Sequence, residues 1–355
     1  MTAMDQSVGA GVYAGRIART LNNGFTALMI SVGHRTGLFD VMAALPPSTT
    51  EQIARAAGLA ERHVREWLAA MTSALVVDHD PRTATYYLPI EYAAVLTRNA
   101  GTNSLAPAAQ LLSLLAGVED LVVTAFHTGG GVMPEAYERM NELMSDERRE
   151  VIDESYVDAI LEVIPGLRMH LDLGAKVLDA GCGDGALLAV MARMFPRSTF
   201  RGYDLSHAAI RRAGERAAEG ELRNVEFAVG DVASLDEPRT YDLVLAFDTM
   251  HEQSYPRLVL RKIAASLKRH GIFVMQEVAV SSHLSRAVEH PFAPMLFALS
   301  TMHSVPVALS HEGEALGRMW GRERAAKLLA EAGFRNVRFE TLGADSISYF
   351  AVASR

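Results

Sequence analysis

Between Val177 and Gly185 the chain reads V-L-D-A-G-C-G-D-G, an apolar run that closes on an acid and is followed by three alternating glycines. Gly181, Gly183 and Gly185 would let a strand turn sharply into a helix, and their missing side chains would let a ligand lie against the main chain. With Ala186 in the last place, the stretch also satisfies the dinucleotide pattern G-x-G-x-x-G/A, so glycine spacing alone leaves two ligand classes open. Asp179 discriminates between them. Two residues before the first glycine, its carboxylate repels a diphosphate and favours a cationic amino group. Asp204, 19 residues after Gly185 at the end of the apolar run Thr199–Tyr203, is placed to accept both hydroxyls of a ribose. The chemistry implied is recognition of a nucleoside that carries a positively charged amino-acid tail.

S-adenosylmethionine (SAM) is such a molecule. Further along, Leu205 is expected to pack on the adenine, and Val225–Val232 reads as a strand closing on Gly230-Asp231, where the acid suits the adenine amino group. Tyr241–Asp248 and Gly271–Glu277 read as a fourth and fifth strand. In order and spacing, D-x-G-x-G, the ribose acid, G-D, Y-D-L-V at 241–244 and L-K-x-x-G at 267–271 resemble the class I SAM-dependent methyltransferases over residues 170 to 355. The resemblance implies an α/β fold with a Rossmann-like, seven-stranded, mostly parallel sheet, completed by strands at Val337–Leu342 and Ser346–Ala353. It implies SAM as cofactor, with S-adenosylhomocysteine as product. It also carries cofactor contacts onto Asp179, Gly181, Cys182, Gly183, Asp204, Leu205, Asp231, Val232 and Phe247. For Cys182, a small filler side chain is the simpler reading.

Methyl transfer from a sulfonium is an in-line displacement, so the acceptor must be positioned and, if it is a hydroxyl or phenol, relieved of a proton. His251-Glu252 follows the fourth strand and resembles the His-Asp pair of plant small-molecule O-methyltransferases, in which the histidine is the base; here the second position is Glu. A loop histidine with no catalytic part would fit the same place. Glu277, ending the fifth strand, is expected to orient or polarise the acceptor, or to cap the following segment. The insert Ser281–Arg318 brings Phe292, Met295, Leu296, Phe297, Met302, His303, Val305 and Pro306, which suit a roof over an apolar or aromatic acceptor as well as an ordinary core. No metal is expected: there is no C-x-x-C and no H-x-x-x-H.

These elements need a scaffold, and the chain has the length for it. Its 355 residues, 49% hydrophobic and 21% charged, suit a globular protein of two domains and connecting helices. Cys182 is the one cysteine, which rules out an internal disulfide and fits a reducing cytoplasm. Met1–Ala10 lacks the apolar core of a signal peptide, and Leu105–Val118, the most apolar stretch, is shorter than the ~18 residues of a membrane span and reads as a buried helix.

Ahead of the sheet, Thr49–Gln52 opens a helix in capping-box style, Gly58 turns the chain, Glu61–Leu75 forms a second helix and Val76–Leu88 a hairpin. Helix, turn, helix, hairpin is a winged-helix pattern. From Thr49 to Arg98 there are five arginines, no lysine and six acids, a net of −1, and the whole chain carries −8. That is poor material for DNA binding through counterion release. In the methyltransferases it resembles, a winged helix serves dimerisation and substrate enclosure, so a homodimer is expected, with the helix before Thr49 contributing.

The chain also resembles actinobacterial, mycobacterial-type methyltransferases with an N-terminal winged helix, through F-x-T-G-G-G at Phe126, D-x-G-C-G at Asp179 and H-S-V-P-V at His303. Some of these are described as transcriptional regulators. The domains expected are a winged-helix and dimerisation domain over 1–100, a helical connector over 101–170 and a SAM-binding methyltransferase domain over 171–355. Within the connector, Gly129–Gly131 suits a mobile lid, a main-chain contact to the methionine carboxylate or a plain flexible link. The function expected is methylation, at oxygen, of a small apolar or aromatic molecule, without DNA or membrane as partner; a SAM-responsive winged-helix regulator is the alternative.

Overall fold

In the computed structural model, residues 10–342 and 347–355 are described. The first nine residues, and Ser346 at the start of the last expected strand, lie outside them. The chain divides into two compact units, Met1–Gly117 and Val118–Arg355. The expected connector is therefore split: the helix Ala108–Ala116 belongs to the first unit, and the helices from Glu119 onward belong with the large sheet.

The first unit is a winged helix behind a long N-terminal helix, Ala10–Thr36. The helix Thr50–Ala57 starts with a reciprocal capping box: the Gln52 amide donates to Thr49 Oγ1 at 3.4 Å, and the Thr49 amide donates to Gln52 Oε1 at 2.8 Å. Gly58 ends it at φ 65°, a left-handed turn that only glycine adopts at little cost. The helix Glu61–Ser73 follows, then the hairpin of β1 (Asp78–Asp80) and β2 (Thr85–Tyr87). Phe39, Ile53, Leu68 and Met71 form the buried centre, and Trp67 Nε1 donates to Met29 O at 2.8 Å. The apolar helix Ala108–Ala116 was expected to be buried, yet none of its residues is fully covered, and Leu112 stays 40% exposed. Its apolar side outruns what one winged helix can cover.

The second unit is built on seven strands: β3 (Lys176–Ala180), β4 (Thr199–Asp204), β5 (Val225–Val229), β6 (Tyr241–Phe247), β7 (Leu267–Val278), β8 (Asn336–Glu340) and β9 (Ser348–Ser354), in the spatial order 5-4-3-6-7-9-8. β3 to β7 pair in parallel, and β9 lies antiparallel to both neighbours. The strands read as near-continuous apolar runs because both faces are covered. Along β6, Val244 and Ala246 pack into one core with the helices Pro256–Ser266 and Arg322–Glu331, while Leu243, Leu245 and Phe247 pack into another with Val157, Leu188 and Met191.

From β3 the chain runs outward to β4 and β5, then crosses back to place β6 on the other side of β3. Two loops thus leave the carboxyl ends of β3 and β6 in opposite directions. In an open α/β sheet the crevice opens at such a switch point.

Candidate active site

A pocket lies at that switch point, within the second unit. Its floor is the turn after β3. Gly181 and Gly185 are required there by both conformation and space. Their φ values are 88° and 72°, and a Cβ would overlap the Thr249 hydroxyl at the first and meet Phe227 at 2.5 Å at the second. Gly183, at φ 54°, would meet nothing within 4 Å and borders open pocket. Cys182 contributes its thiol beside Gly202, where any Cβ would come within 2.6 Å of the sulfur.

Asp179 ends β3 as a buried acid lining the pocket, and its Oδ1 has no hydrogen-bond partner. Burial pushes its carboxyl up to about 7; Arg148 opposes this and Asp204 adds to it. A desolvated carboxylate with one oxygen open has room for a hydrogen-bond donor, which an α-ammonium supplies. Asp204, at the end of β4, is oriented by two backbone amides: Oδ2 accepts from Gly183 N and Oδ1 from Ser206 N, each at 2.9 Å. It borders the same pocket, so the turn after β3 and the acid after β4 are locked together.

The wall above this floor comes from helices that sequence reading left unassigned. Asn141, Met144, Ser145 and Arg148 recur at helical spacing along the helix Glu138–Val151 and line the pocket, followed by Ile152 and Tyr156. Arg148 donates to Asp248 Oδ2 at 2.6 Å and to Phe247 O at 3.3 Å. Asp248 reaches it from a left-handed conformation, φ 51°, at the end of β6. One residue on, Arg149 donates to Asp184 Oδ2 at 2.9 Å, and Arg216 donates to the same oxygen at 2.9 Å. Asp184 thereby pins the glycine turn between two helices. A pair of arginines on an amphipathic helix is the one sequence signal these contacts had, and it does not distinguish a pocket from a solvated face.

The far wall carries a charged cluster. His251 sits in the short helical turn Met250–Glu252 and is fully buried; its Nδ1 lies 2.6 Å from Glu277 Oε2, and its amide donates to Glu277 Oε1 at 3.2 Å. Burial alone would lower the imidazole's pKa, but Glu277 beside it, with Glu252, outweighs that and raises it to about 9. Glu252 lines the pocket, and its Oε1 is approached by His303 Nδ1 at 3.2 Å, His251 Nε2 at 3.4 Å and Arg318 Nη2 at 3.4 Å. Burial pushes this carboxyl up, but His303 and His251 more than offset it and hold it well below the usual range. Asp248, His251 and Glu277 bring one ligating atom each within 4.8 Å of one another, but Arg148 already pairs with the first, and the other two pair together.

Of the residues expected to contact the cofactor, Asp179, Gly181, Cys182, Gly183, Asp204 and Phe247 line this pocket. Leu205, Asp231 and Val232 do not: Leu205 is 56% exposed, Asp231 caps the turn Val232–Ser234, and Val232 is buried in the core beside the helix Pro256–Ser266. Among the expected catalytic residues, Glu252 lines the pocket, while His251 and Glu277 lie buried behind it. The segment Gly129–Gly131 is anchored at its end. Val132 N donates to Pro306 O at 3.0 Å, and a Cβ on Gly131 would collide with the backbone of Pro306, Leu309 and Ser310.

Comparison with known proteins places this geometry. Residues 24–98 match the Rv2258c-like winged helix-turn-helix domain, and residues 171–333 match a methyltransferase domain family. The chain joins a winged helix to a methyltransferase domain of the class I fold. An O-methyltransferase family protein from Burkholderia thailandensis has a similar structure, with a TM-score of 0.68, 16% identity, and 98% of this chain and 99% of that chain covered. Human N-acetylserotonin methyltransferase in complex with SAM gives 0.64, 18% identity, and 100% and 99% covered. At these identities the likeness is one of fold. In sequence, the chain is 37% identical over 79 residues to ribosomal protein L11 methyltransferase of Porphyromonas gingivalis, which is 22% of this chain and 27% of that protein. The matched stretches span about a third of the curated relatives' length, at 27%, 36% and 31%. The methyltransferase domain fits SAM: the open oxygen of Asp179 suits its ammonium, Asp204 its ribose and the bare turn its close approach to the backbone.

Proposed function

We propose that the protein is a SAM-dependent methyltransferase that transfers a methyl group to a small apolar or aromatic molecule, at oxygen. The observation that carries this reading is the pocket's zwitterionic end. Asp179 offers a buried carboxylate with an unpartnered oxygen, and Arg148, lining the same pocket, offers a guanidinium. Together they match the ammonium and carboxylate of an amino acid, a pairing that a dinucleotide's diphosphate would oppose. Asp204 would hold the ribose, and Phe247 would border the cofactor. When bound, SAM supplies an electrophilic methyl carbon on a sulfonium.

The chain's own residues do the rest. Glu252 presents a negative charge at the pocket wall, and His251 and Glu277 act from behind it as positioning residues. Of the insert Ser281–Arg318 only His303 lines the pocket, and Leu296 packs into a separate core; Met144, Ile152, Leu187 and Phe247 give the pocket its apolar lining, which supports an apolar acceptor. The winged helix supports assembly in preference to DNA binding. On the helix Glu61–Ser73, Arg62 pairs with Glu66 and Arg65 with Glu61, so the arginines a phosphate would need are already engaged.

The assembly is a homodimer. Tyr13, Ile17, Leu21 and Phe25 repeat every four residues along the N-terminal helix and are 58%, 59%, 58% and 67% exposed, a stripe suited to a second copy of the chain. The protein works in the cytoplasm, in keeping with its single cysteine, and among the described residues no single helix is long and apolar enough to cross a membrane.

The test is calorimetry with S-adenosylhomocysteine, followed by a screen for its release from SAM over phenols, carboxylates and amines. Binding with turnover of a phenol supports the reading. Binding with no turnover across the screen reduces the protein to a SAM-binding module, and absence of binding removes the cofactor assignment.

A further inference from the structure

We infer that His303, and not His251, is the group that takes the acceptor's proton, with Glu252 orienting it. The inference rests on the reading of the pocket as a methyltransferase site. Both histidines approach Glu252 Oε1, but they differ in what else they touch. His251 is fully enclosed, does not line the pocket and is committed through Nδ1 to Glu277 at 2.6 Å. It is an ion-paired imidazole whose other nitrogen faces Glu252 instead of the pocket. His303, though only 2% exposed, lines the pocket, and its Nδ1 lies 3.2 Å from Glu252 Oε1.

The fold holds His303 in place from three sides. It lies on a single π-helical turn, Ser300–Ser304, inserted between the helices Ala293–Leu299 and Val305–Leu309. Such a turn widens the helix by one residue and redirects a side chain. The Tyr137 ring packs edge-on against the imidazole at 4.6 Å, and the Tyr137 hydroxyl donates to Met302 O at 2.7 Å. Gly317, at φ 74°, lets the following loop close on Ser300, whose Oγ accepts from Arg318 N at 3.0 Å. That places the Arg318 guanidinium on the same Glu252 oxygen. Glu252 Oε1 is thus shared by Arg318, His251 and His303, and of the two histidines His303 alone lines the pocket.

We assign His303 the Nδ1–H tautomer from its 3.2 Å approach to Glu252 Oε1, which leaves the lone pair on Nε2, as a general base needs. In the step, the acceptor oxygen forms a bond to the methyl carbon, the electrons of the C–S bond remain on sulfur as a neutral thioether, and the O–H proton passes to His303 Nε2. The imidazolium so formed faces the Glu252 carboxylate. The acceptor class follows: a phenol or alcohol that enters the pocket with its proton, since a carboxylate or tertiary amine needs no base.

Carbethoxylation of the full-length protein by diethyl pyrocarbonate, read by peptide mass spectrometry, tests this without a known acceptor. S-adenosylhomocysteine affinity is measured first on the same sample. Expected are labelling of His303 with the exposed His63 and His127, none at His251, and loss of the His303 label by at least about tenfold at saturating S-adenosylhomocysteine. In Glu252→Gln, whose amide no longer favours the Nδ1–H tautomer alone, the rate of His303 labelling relative to His63 at one fixed pH is expected to change by at least about twofold, a change that a purely structural role would not produce. A protein that binds S-adenosylhomocysteine but leaves His303 unlabelled while His63 and His127 react overturns the inference alone. So does a label that S-adenosylhomocysteine fails to suppress. A protein that does not bind S-adenosylhomocysteine overturns the methyltransferase reading and this inference with it. If Glu252→Gln does not fold, labelling of the unaltered chain still decides.

Discussion

The two sides of the pocket are made of different materials. The cofactor side is mostly main chain: a glycine turn after β3, backbone amides holding Asp204, and one acid with an open oxygen. The opposite side is a knot of side-chain charges, in which Glu252 gathers His251, His303 and Arg318, and Glu277 holds His251. Main chain makes a rigid cradle that one substitution can spoil by bulk. A charge cluster distributes its role, so single substitutions there shift proton affinities before they break the fold. Fixed recognition on one side and tunable chemistry on the other is what a transferase with one donor and a variable acceptor requires.

The sharpest way to break the contrast is Asp179→Asn. It keeps the shape and removes the charge, so S-adenosylhomocysteine affinity should fall about 100-fold by calorimetry. In the unaltered protein the same carboxyl, ordinarily ionising at 3.8 and raised to about 7, must be charged to bind an ammonium, so affinity should weaken as pH falls below 7. The sign for stability is the reverse. With the folded pKa raised, folding takes up a proton between these values, and the stability so gained is lost as pH rises through 7. Asp179→Asn should therefore melt a few degrees higher than the unaltered protein at pH 8, by calorimetric scan, with the difference closing below pH 4.

Arg148→Gln probes the other half of the amino-acid clamp. It should cost about tenfold in S-adenosylhomocysteine affinity and leave 5′-methylthioadenosine, which lacks the amino acid, unchanged. Equal losses for both ligands would assign Arg148 to holding Asp248 and the helix instead. Gly185→Ala meets Phe227 at 2.5 Å and a left-handed backbone, and should destabilise by about 2 kcal/mol in urea titration.

How much of this was legible beforehand follows from the same contrast. Strand, acid and glycines are neighbours in sequence, so Asp179, Gly181, Gly183 and Asp204 could be read as a unit, and the seven-stranded sheet came with them. The adenine end was less legible. Asp231 and Val232 were placed by analogy of position; Asp231 caps the turn Val232–Ser234, Val232 is buried, and neither borders the pocket. Arg148, Asp184 and His303 could not be found by spacing, because their partners lie 100, 32 and 51 residues away, at Asp248, Arg216 and Glu252. The N-terminal stripe at Tyr13, Ile17, Leu21 and Phe25 is regular in sequence, but its exposure became visible only once the winged-helix core was seen to close without it. If it seats a second copy, Ile17→Glu with Leu21→Glu should convert a dimer to a monomer in sedimentation velocity.

The charge cluster gives the smallest effect. His251, ordinarily near 6.5 and raised to about 9, contributes stability that is fully present below 6.5 and lost as pH rises through 9. Melting temperature should therefore decline by a few degrees across that window and lose this slope in His251→Gln.

The central claim, that a lone buried carboxylate ahead of a bare turn selects a cationic amino-acid nucleoside over a diphosphate, is tested most directly by paired calorimetric titrations of the full-length protein with S-adenosylhomocysteine and with NAD at pH 8. Saturable binding of the first and none of the second is the predicted result. Binding of NAD with no heat from S-adenosylhomocysteine would contradict it.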